Sequence, residues 1–208
     1  MLTDDRGFSP LKTHLRSHRG AWSLAFMAGC AVALTWWGGQ AVLFPNVSGD
    51  RPIPASGAAF MPLLLGIGVL VSTIDGMADF SRAAALPRRR VLARHLAGAF
   101  GIAVVLSCAA LLLSGDPDAL PLAFRNMLGF TGLAGVSAAL LGFRLSWLLP
   151  VVQTIPAFLL GAPGAEGTRA QWWEWPRAGV ENGTAWAVAA GLMAAGMFLV
   201  LLPADRRS

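Results

Sequence analysis

The chain has 208 residues; 55% are hydrophobic, only 13% are charged, and the mean hydropathy is +0.59. A soluble domain carries roughly 25% charged residues, so this composition excludes a chain that is mainly a soluble domain. A formal charge of +5 would suit a nucleic-acid partner, but the charges gather at the ends of apolar runs, where membrane proteins place them, and no nucleic acid is expected.

Residues 1–20 are polar and basic, with Arg6, Lys12, Arg16 and Arg19. Phe8, Leu11 and Leu15 follow an i, i+3, i+7 spacing that places them on one helical face, and Lys12, Arg16 and Arg19 occupy another. That pattern predicts an amphipathic helix lying along the inner membrane surface; a disordered basic tail is the competing reading. No apolar core of a signal peptide precedes the first long apolar run, so a cleaved signal is not expected.

A six-span transmembrane domain is predicted over residues 21–203. The first span covers about 21–44, with Trp22 near one end and Trp36 and Trp37 near the other, as interfacial aromatics stand. A short loop of balanced charge follows to Gly57. The second span, about 58–74, carries Pro62, Gly66 and Gly68 and is expected to kink.

The stretch from Asp75 to Arg90 holds the densest charge in the chain. Met77 to Leu86 reads as a short cytoplasmic helix with Phe80 on its small apolar face, stopped by Pro87. Arg88, Arg89, Arg90 and Arg94 then mark the cytoplasmic end of the third span, about 91–114. An ordinary basic loop that only fixes topology is the alternative for this stretch.

Gly115-Asp116-Pro117-Asp118 makes a tight acidic turn, expected outside. The fourth span, about 122–142, carries Gly129, Gly132 and Gly135, and small residues at that spacing let helices approach closely. Phe143-Arg144 is a very short inner connection. The fifth span, about 145–160, contains Pro150, Gln153 and Pro156 and reads either as a crossing or as a re-entrant segment. The longest outer segment, 163–182, brings Trp172, Trp173 and Trp175 together, a pattern expected to dip into the outer interface. The sixth span covers about 184–202, and residues 204–208 form a cytoplasmic tail.

Charge counting supports this layout. With both termini inside, the inner side holds Arg6, Lys12, Arg16, Arg19, Arg82, Arg88, Arg89, Arg90, Arg94, Arg144, Arg206 and Arg207, which is 12 of the 16 basic residues. Lys12 is the only lysine, and the wealth of Ala, Gly and Arg points to a GC-rich bacterial source. The expected location is therefore the bacterial plasma membrane.

Catalytic motifs are missing. There is no G-x-S-x-G, H-E-x-x-H or C-x-x-C, and no phosphate loop, since Lys12-Thr13 follows Leu11 without the necessary glycines. His14, His18 and His95 are not paired with carboxylates at ligand spacing, and Cys30 and Cys108 read as buried thiols. No catalytic residue, metal or cofactor is expected. Ion-coupled transport needs ionisable groups at mid-membrane depth, and the span interiors have essentially none: Asp75 and Asp79 lie at an inner end, Arg125 and Asn126 at an outer one. Gln40 and Gln153 are the polar side chains expected inside spans, bonded to backbone or neighbouring helices.

In order and loop length the chain resembles the membrane permease subunits of type-2 ABC exporters. The likeness rests on six spans, a basic amphipathic stretch at Phe8 to Arg19, the segment from Met77 to Leu86 between spans two and three, and the outer segment 163–182 between spans five and six. The runs Leu86-Pro87-Arg88-Arg89-Arg90-Val91-Leu92-Ala93-Arg94 and Arg125-Asn126-Met127-Leu128-Gly129-Phe130-Thr131-Gly132-Leu133 are similar to actinobacterial permeases of this type. The resemblance implies an all-α integral membrane protein in which Met77 to Leu86 is a coupling helix. Asp79, Phe80, Ser81 and Arg82 would dock a separate ATP-binding cassette subunit, and a second permease subunit, identical or different, would pair beside it in the lipid. The chain itself would be no enzyme and would form a path for an apolar or amphipathic cargo. A membrane accessory or self-resistance protein without transport is the alternative.

Overall fold

The computed structural model describes residues 18–47, 49, 52–73, 88–161 and 170–202. The segments from Phe8 to Ser17 and from Met77 to Leu86, read above as the body of the N-terminal helix and as the coupling helix, lie outside the described residues. What is described is mostly helical with one small hairpin.

Among the described residues six α-helices follow in order: α1 (His18–Trp37), α2 (Gly57–Val71), α3 (Arg88–Leu113), α4 (Leu120–Leu141), α5 (Leu148–Leu159) and α6 (Gly183–Leu201). Each sits where a span was expected. Among the described residues three stretches are long and apolar enough to cross a membrane: Arg89–Leu113, Pro117–Leu141 and Gly183–Leu201. The α1, α2 and α5 regions are apolar but shorter.

The first expected span is wrong at its end. Instead of continuing to Phe44, α1 stops at Trp37, and Ala41–Phe44 forms strand β1. Gly38 and Gly39 follow the helix, and a Cβ on Gly38 would overlap Leu34 O and the Leu111 side chain. The freed backbone groups find partners across the gap, since Gly38 O accepts from Ala58 N at 3.1 Å and Gln40 O from Gly57 N at 3.3 Å. Strand β2 (Ile53–Ser56) pairs antiparallel with β1, Ala41 opposite Ser56 and Phe44 opposite Ile53. Pro54 is tolerated because a two-stranded ribbon leaves each strand a free edge. Gln40 therefore lies exposed in a turn and not within a span.

The contacts sort the helix ends into two sets. Ser23 Oγ donates to Gly68 O at 3.3 Å, so the start of α1 meets the end of α2. Ser72 Oγ and His95 Nε2 are 3.1 Å apart, which ties the end of α2 to the start of α3. At the far end of α3, Asp116 N bonds Leu111 O at 3.1 Å and Gly115 N bonds Leu112 O at 3.2 Å. Gly115 has φ of 75°; this is the paired-bond helix stop that favours glycine. Asp116 sits beside Gly39, at the hairpin end. Leu149 N reaches Ser137 Oγ at the end of α4, whereas Phe158 packs on Phe44 and Phe60. So α5 runs from the opposite end to the hairpin end and does not turn back. The six helices alternate in direction.

Helix α4 is the centre. Nearly every face of it is buried, from Ala123 to Ala138, as expected of a helix packed on all sides. It lies against α6, α2, α5 and α3. The approach to α6 depends on the expected glycines: a Cβ on Gly132 would overlap the backbone of Leu192 and Met193, and one on Gly196 would overlap the Gly132 carbonyl. Met27, Leu65, Val69, Leu96, Met127 and Val200 join five helices in one buried cluster. Cys30 and Cys108 are free thiols, the first buried and the second half-buried.

Two glycines on α6 give a direct contrast. Gly196→Ala should cost about 1–3 kcal/mol through overpacking. A Cβ at Gly191 meets nothing within 4 Å, so Gly191→Ala should be neutral or stabilise by up to about 1 kcal/mol through helix propensity. Thermal midpoints of the purified variants in detergent check both.

Candidate functional site

Most of the buried polar side chains at the hairpin end form one connected network. Its centre is Arg125-Asn126, in the second turn of α4, and both residues are fully buried. Arg125 Nη1 donates to Gly179 O at 2.9 Å, and Nη2 donates to Ala178 O at 2.8 Å and to Pro176 O at 3.5 Å. Its Nε donates to Asn126 Oδ1 at 3.2 Å. Asn126 Nδ2 donates to Pro176 O at 2.7 Å and to Ala59 O on α2 at 2.8 Å.

Among the described residues no carboxylate pairs with Arg125. Carbonyl dipoles carry the compensation. They converge because the 3-10 turn Trp172–Glu174 continues into a tight coil, with Arg177 N and Ala178 N both bonded to Glu174 O, at 2.9 and 3.2 Å. The carbonyls that end such a turn carry its negative pole. A planar guanidinium with five donors can serve several carbonyls at once, which an ammonium does less well.

A buried charge pair sits alongside. Arg177 Nη1 lies 3.7 Å from Glu174 Oε1 and donates to Ala157 O on α5 at 3.0 Å. Glu174 Oε2 accepts from Gln171 N at 2.9 Å. Gly161 leaves the space, since a Cβ there would overlap Arg177. Gln153 on α5 donates from Nε2 to Trp173 O at 2.7 Å, the role expected for it. Asn182 closes the segment by accepting from Ala185 N at 3.0 Å, the N-cap of α6.

The three tryptophans part company here. Trp172 is 69% exposed and Trp173 half-buried, but Trp175 is 2% exposed. Its ring lies 5.0 Å from that of Phe130 and fills the space left by Gly129. Trp175 is therefore a core residue, not an interfacial anchor. Arg89, Arg90 and Arg94 lie exposed in the first two turns of α3, and Arg88 heads the same helix. Asp79, Phe80, Ser81 and Arg82 lie outside the described residues.

Arg125 stands near one end of α4, where it was expected, and Glu174 and Arg177 stand between α5 and α6, but all three are buried, which was not expected. The signal was a lone arginine within an apolar run, which by itself marks a functional-site candidate. Beside the network is a cavity of about 280 Å³ between β2 and the turn, lined by Ser56, Ala59, Leu122, Arg177, Gly179 and Val180 among others. Among the described residues no group of His, Cys, Asp and Glu could hold a metal ion. Arg125 donates to carbonyls already fixed by the turn, and Glu174 and Arg177 are engaged with each other. The arrangement can brace and seal, closing one end of the bundle across α2, α4, α5 and α6.

The chain matches no protein-family model, no curated protein and no solved structure.

Arg125→Ala would strand Ala178 O and Asn126 Oδ1, whereas Pro176 O keeps Asn126 Nδ2 and Gly179 O keeps Asn182 N. Each buried unsatisfied group costs about 1–3 kcal/mol, so the variant should lose about 2 kcal/mol or more. Trp172→Ala, on the same segment but exposed, should stay within about 0.5 kcal/mol. Denaturation of both in detergent, followed by near-ultraviolet circular dichroism, is the check.

Proposed function

We propose that this chain is the membrane permease subunit of an ATP-driven type-2 ABC exporter in a bacterial plasma membrane, crossing six times with both termini in the cytoplasm. The observation that carries the proposal is the alternating order of six apolar helices, with the charged stretch from Asp75 to Arg90 at the junction of α2 and α3 and the braced segment 170–182 between α5 and α6. That order and those loop positions are the ones in which the sequence resembles such permeases.

A span needs about 20 residues, and α2 has 15 and α5 only 12. Two features support counting them as crossings. Ten of the α2 residues are buried, so protein and not lipid surrounds most of it. Both also continue into paired structure, α2 from the β hairpin and α5 from the 3-10 turn Phe143–Leu145. Irregular backbone is tolerated at membrane depth when it is buried in protein.

Energy would enter from outside the chain. A separate ATP-binding cassette subunit would dock under Met77 to Leu86, with Phe80 as apolar anchor and Asp79, Ser81 and Arg82 around it. A second permease subunit, identical or different, would complete the path. The braced network would keep the outer end shut while cargo, apolar or amphipathic, enters from the lipid or the cytoplasm.

Aromatic anchors at interface centres typically contribute about 2 kcal/mol or more, which is about thirtyfold in affinity. Phe80→Ala should therefore weaken docking of the ATP-binding subunit about thirtyfold and cut cargo resistance at matched membrane levels, while Arg88, Arg89, Arg90 and Arg94 keep insertion intact. Wild-type copurification and wild-type resistance in this variant would end the coupling-helix assignment and favour a membrane protein without transport.

A further inference from the structure

The segment between α5 and α6 does not stay at the surface of the bundle. Trp173 O accepts from Gln153 Nε2 at 2.7 Å. Gln153 precedes Leu159, the hairpin-side end of α5, by about 9 Å of helix, and the Trp173 carbonyl lies at that depth. Two other helices agree. The Trp175 ring fills the space left by Gly129, about 14 Å along α4 from Leu120. The same ring shares a buried cluster with Ala189, about 9 Å along α6 from Gly183. For scale, α3 runs about 28 Å from exposed Arg94, at the arginine end, to its last residue Leu113. That is close to the roughly 30 Å of a bilayer's hydrocarbon core.

One side of this deep turn is open. Gln171 is exposed and Trp172 is 69% exposed. Gln171 Oε1 accepts from Trp173 Nε1 at 2.8 Å, but among the described residues Gln171 Nε2 and Trp172 Nε1 have no acceptor. Hydrocarbon offers these donors nothing. Irregular backbone at membrane depth is either buried in protein or lines water, and is not exposed to lipid. Water satisfies the two donors without a further chain. The same segment also bounds the cavity of about 280 Å³ whose lining includes Ser56 and Arg177, roomy and polar enough for water. The neighbouring face of α5 is different. Val152 and Ile155 flank Gln153 and are 49% and 51% exposed, an apolar surface that suits lipid at the same level.

We infer that Gln171 and Trp172 line a water-filled recess that opens at the hairpin end and reaches about 10 Å into the membrane. Water meets the 3-10 turn and acyl chains meet α5, side by side at one depth. In the exporter reading the recess is the outer mouth of the path, where an amphipathic cargo regains water. The inference rests on the chain lying in a membrane and is independent of an ATP-binding partner.

The test is thiol labelling at matched depth. Trp172→Cys, Val152→Cys and Ile155→Cys are made singly with Cys30 and Cys108 replaced by alanine, and Asp118→Cys is the exposed reference. A charged maleimide is added to membranes opened on both faces, so orientation does not enter. Maleimide reacts with the thiolate, which hydrocarbon suppresses. Trp172→Cys should label within about tenfold of the Asp118→Cys rate, and Val152→Cys and Ile155→Cys more than about a hundredfold more slowly. Carbonate extraction of the same membranes reports embedding separately. In an embedded chain, Trp172→Cys as slow as Val152→Cys would mean that protein or lipid covers the turn, and would overturn the inference. Fast labelling of all three would overturn it too, because α5 would then not face lipid at that level. Release of the chain by carbonate would remove the membrane reading, and the recess with it.

Discussion

The hydrogen-bond demand of the buried Arg125 guanidinium is the constraint on which the hairpin end depends. Away from water each N–H needs an acceptor, and leaving one without is costly. Four of its N–H···O contacts run to Asn126 and to the carbonyls of Pro176, Ala178 and Gly179. That demand fixes where the segment before α6 must lie. With the segment in place, Trp175 reaches Phe130, Arg177 reaches Ala157, and Gln153 reaches Trp173. Four helices are thereby tied at one end by contacts that have direction, whereas apolar packing between helices has little.

Deeper in the bundle a different force sets the geometry. Side chains between α4 and α6 are nearly absent at the crossing, where Gly132 and Gly135 face Gly196 and its neighbours. Dispersion between close backbones acts there, and it depends on the exclusion of any Cβ. The register set by Arg125 at one end and the glycine crossing further along must agree. The residues between them, Gly129 and Phe130, carry Trp175 and so belong to both. A shift of α6 by one residue would break the carbonyl set and the crossing together.

Helix positions were legible from apolar run length, and the α4 glycines from their spacing. The end of α1 was not. Ala41-Val42-Leu43-Phe44 is as apolar as the helix before it, and only pairing with Ile53–Ser56, distant in sequence, makes it a strand. The glycine pair Gly38-Gly39 was the local sign. Three tryptophans within four residues looked alike, but the 3-10 turn sends Trp175 inward and Trp172 outward. Arg125 was visible as a charge near a span end. Its burial depended on the 176–179 carbonyls, whose convergence no local pattern reveals. Glu174 and Arg177 stand three residues apart, which allows pairing, but Gly161 and Ala157 decide that the pair is buried.

The proposed function makes the hairpin end the outer face, sealed by the Arg125 network, and the arginine end the cytoplasmic face. Single-cysteine labelling in intact cells addresses that orientation most directly, with Cys30 and Cys108 replaced by alanine. Asp118→Cys marks the hairpin end and Leu145→Cys the opposite one, and both positions are exposed. A membrane-impermeant maleimide should label Asp118→Cys in intact cells and Leu145→Cys only after permeabilisation. Labelling of Leu145→Cys in intact cells with Asp118→Cys protected would contradict the account.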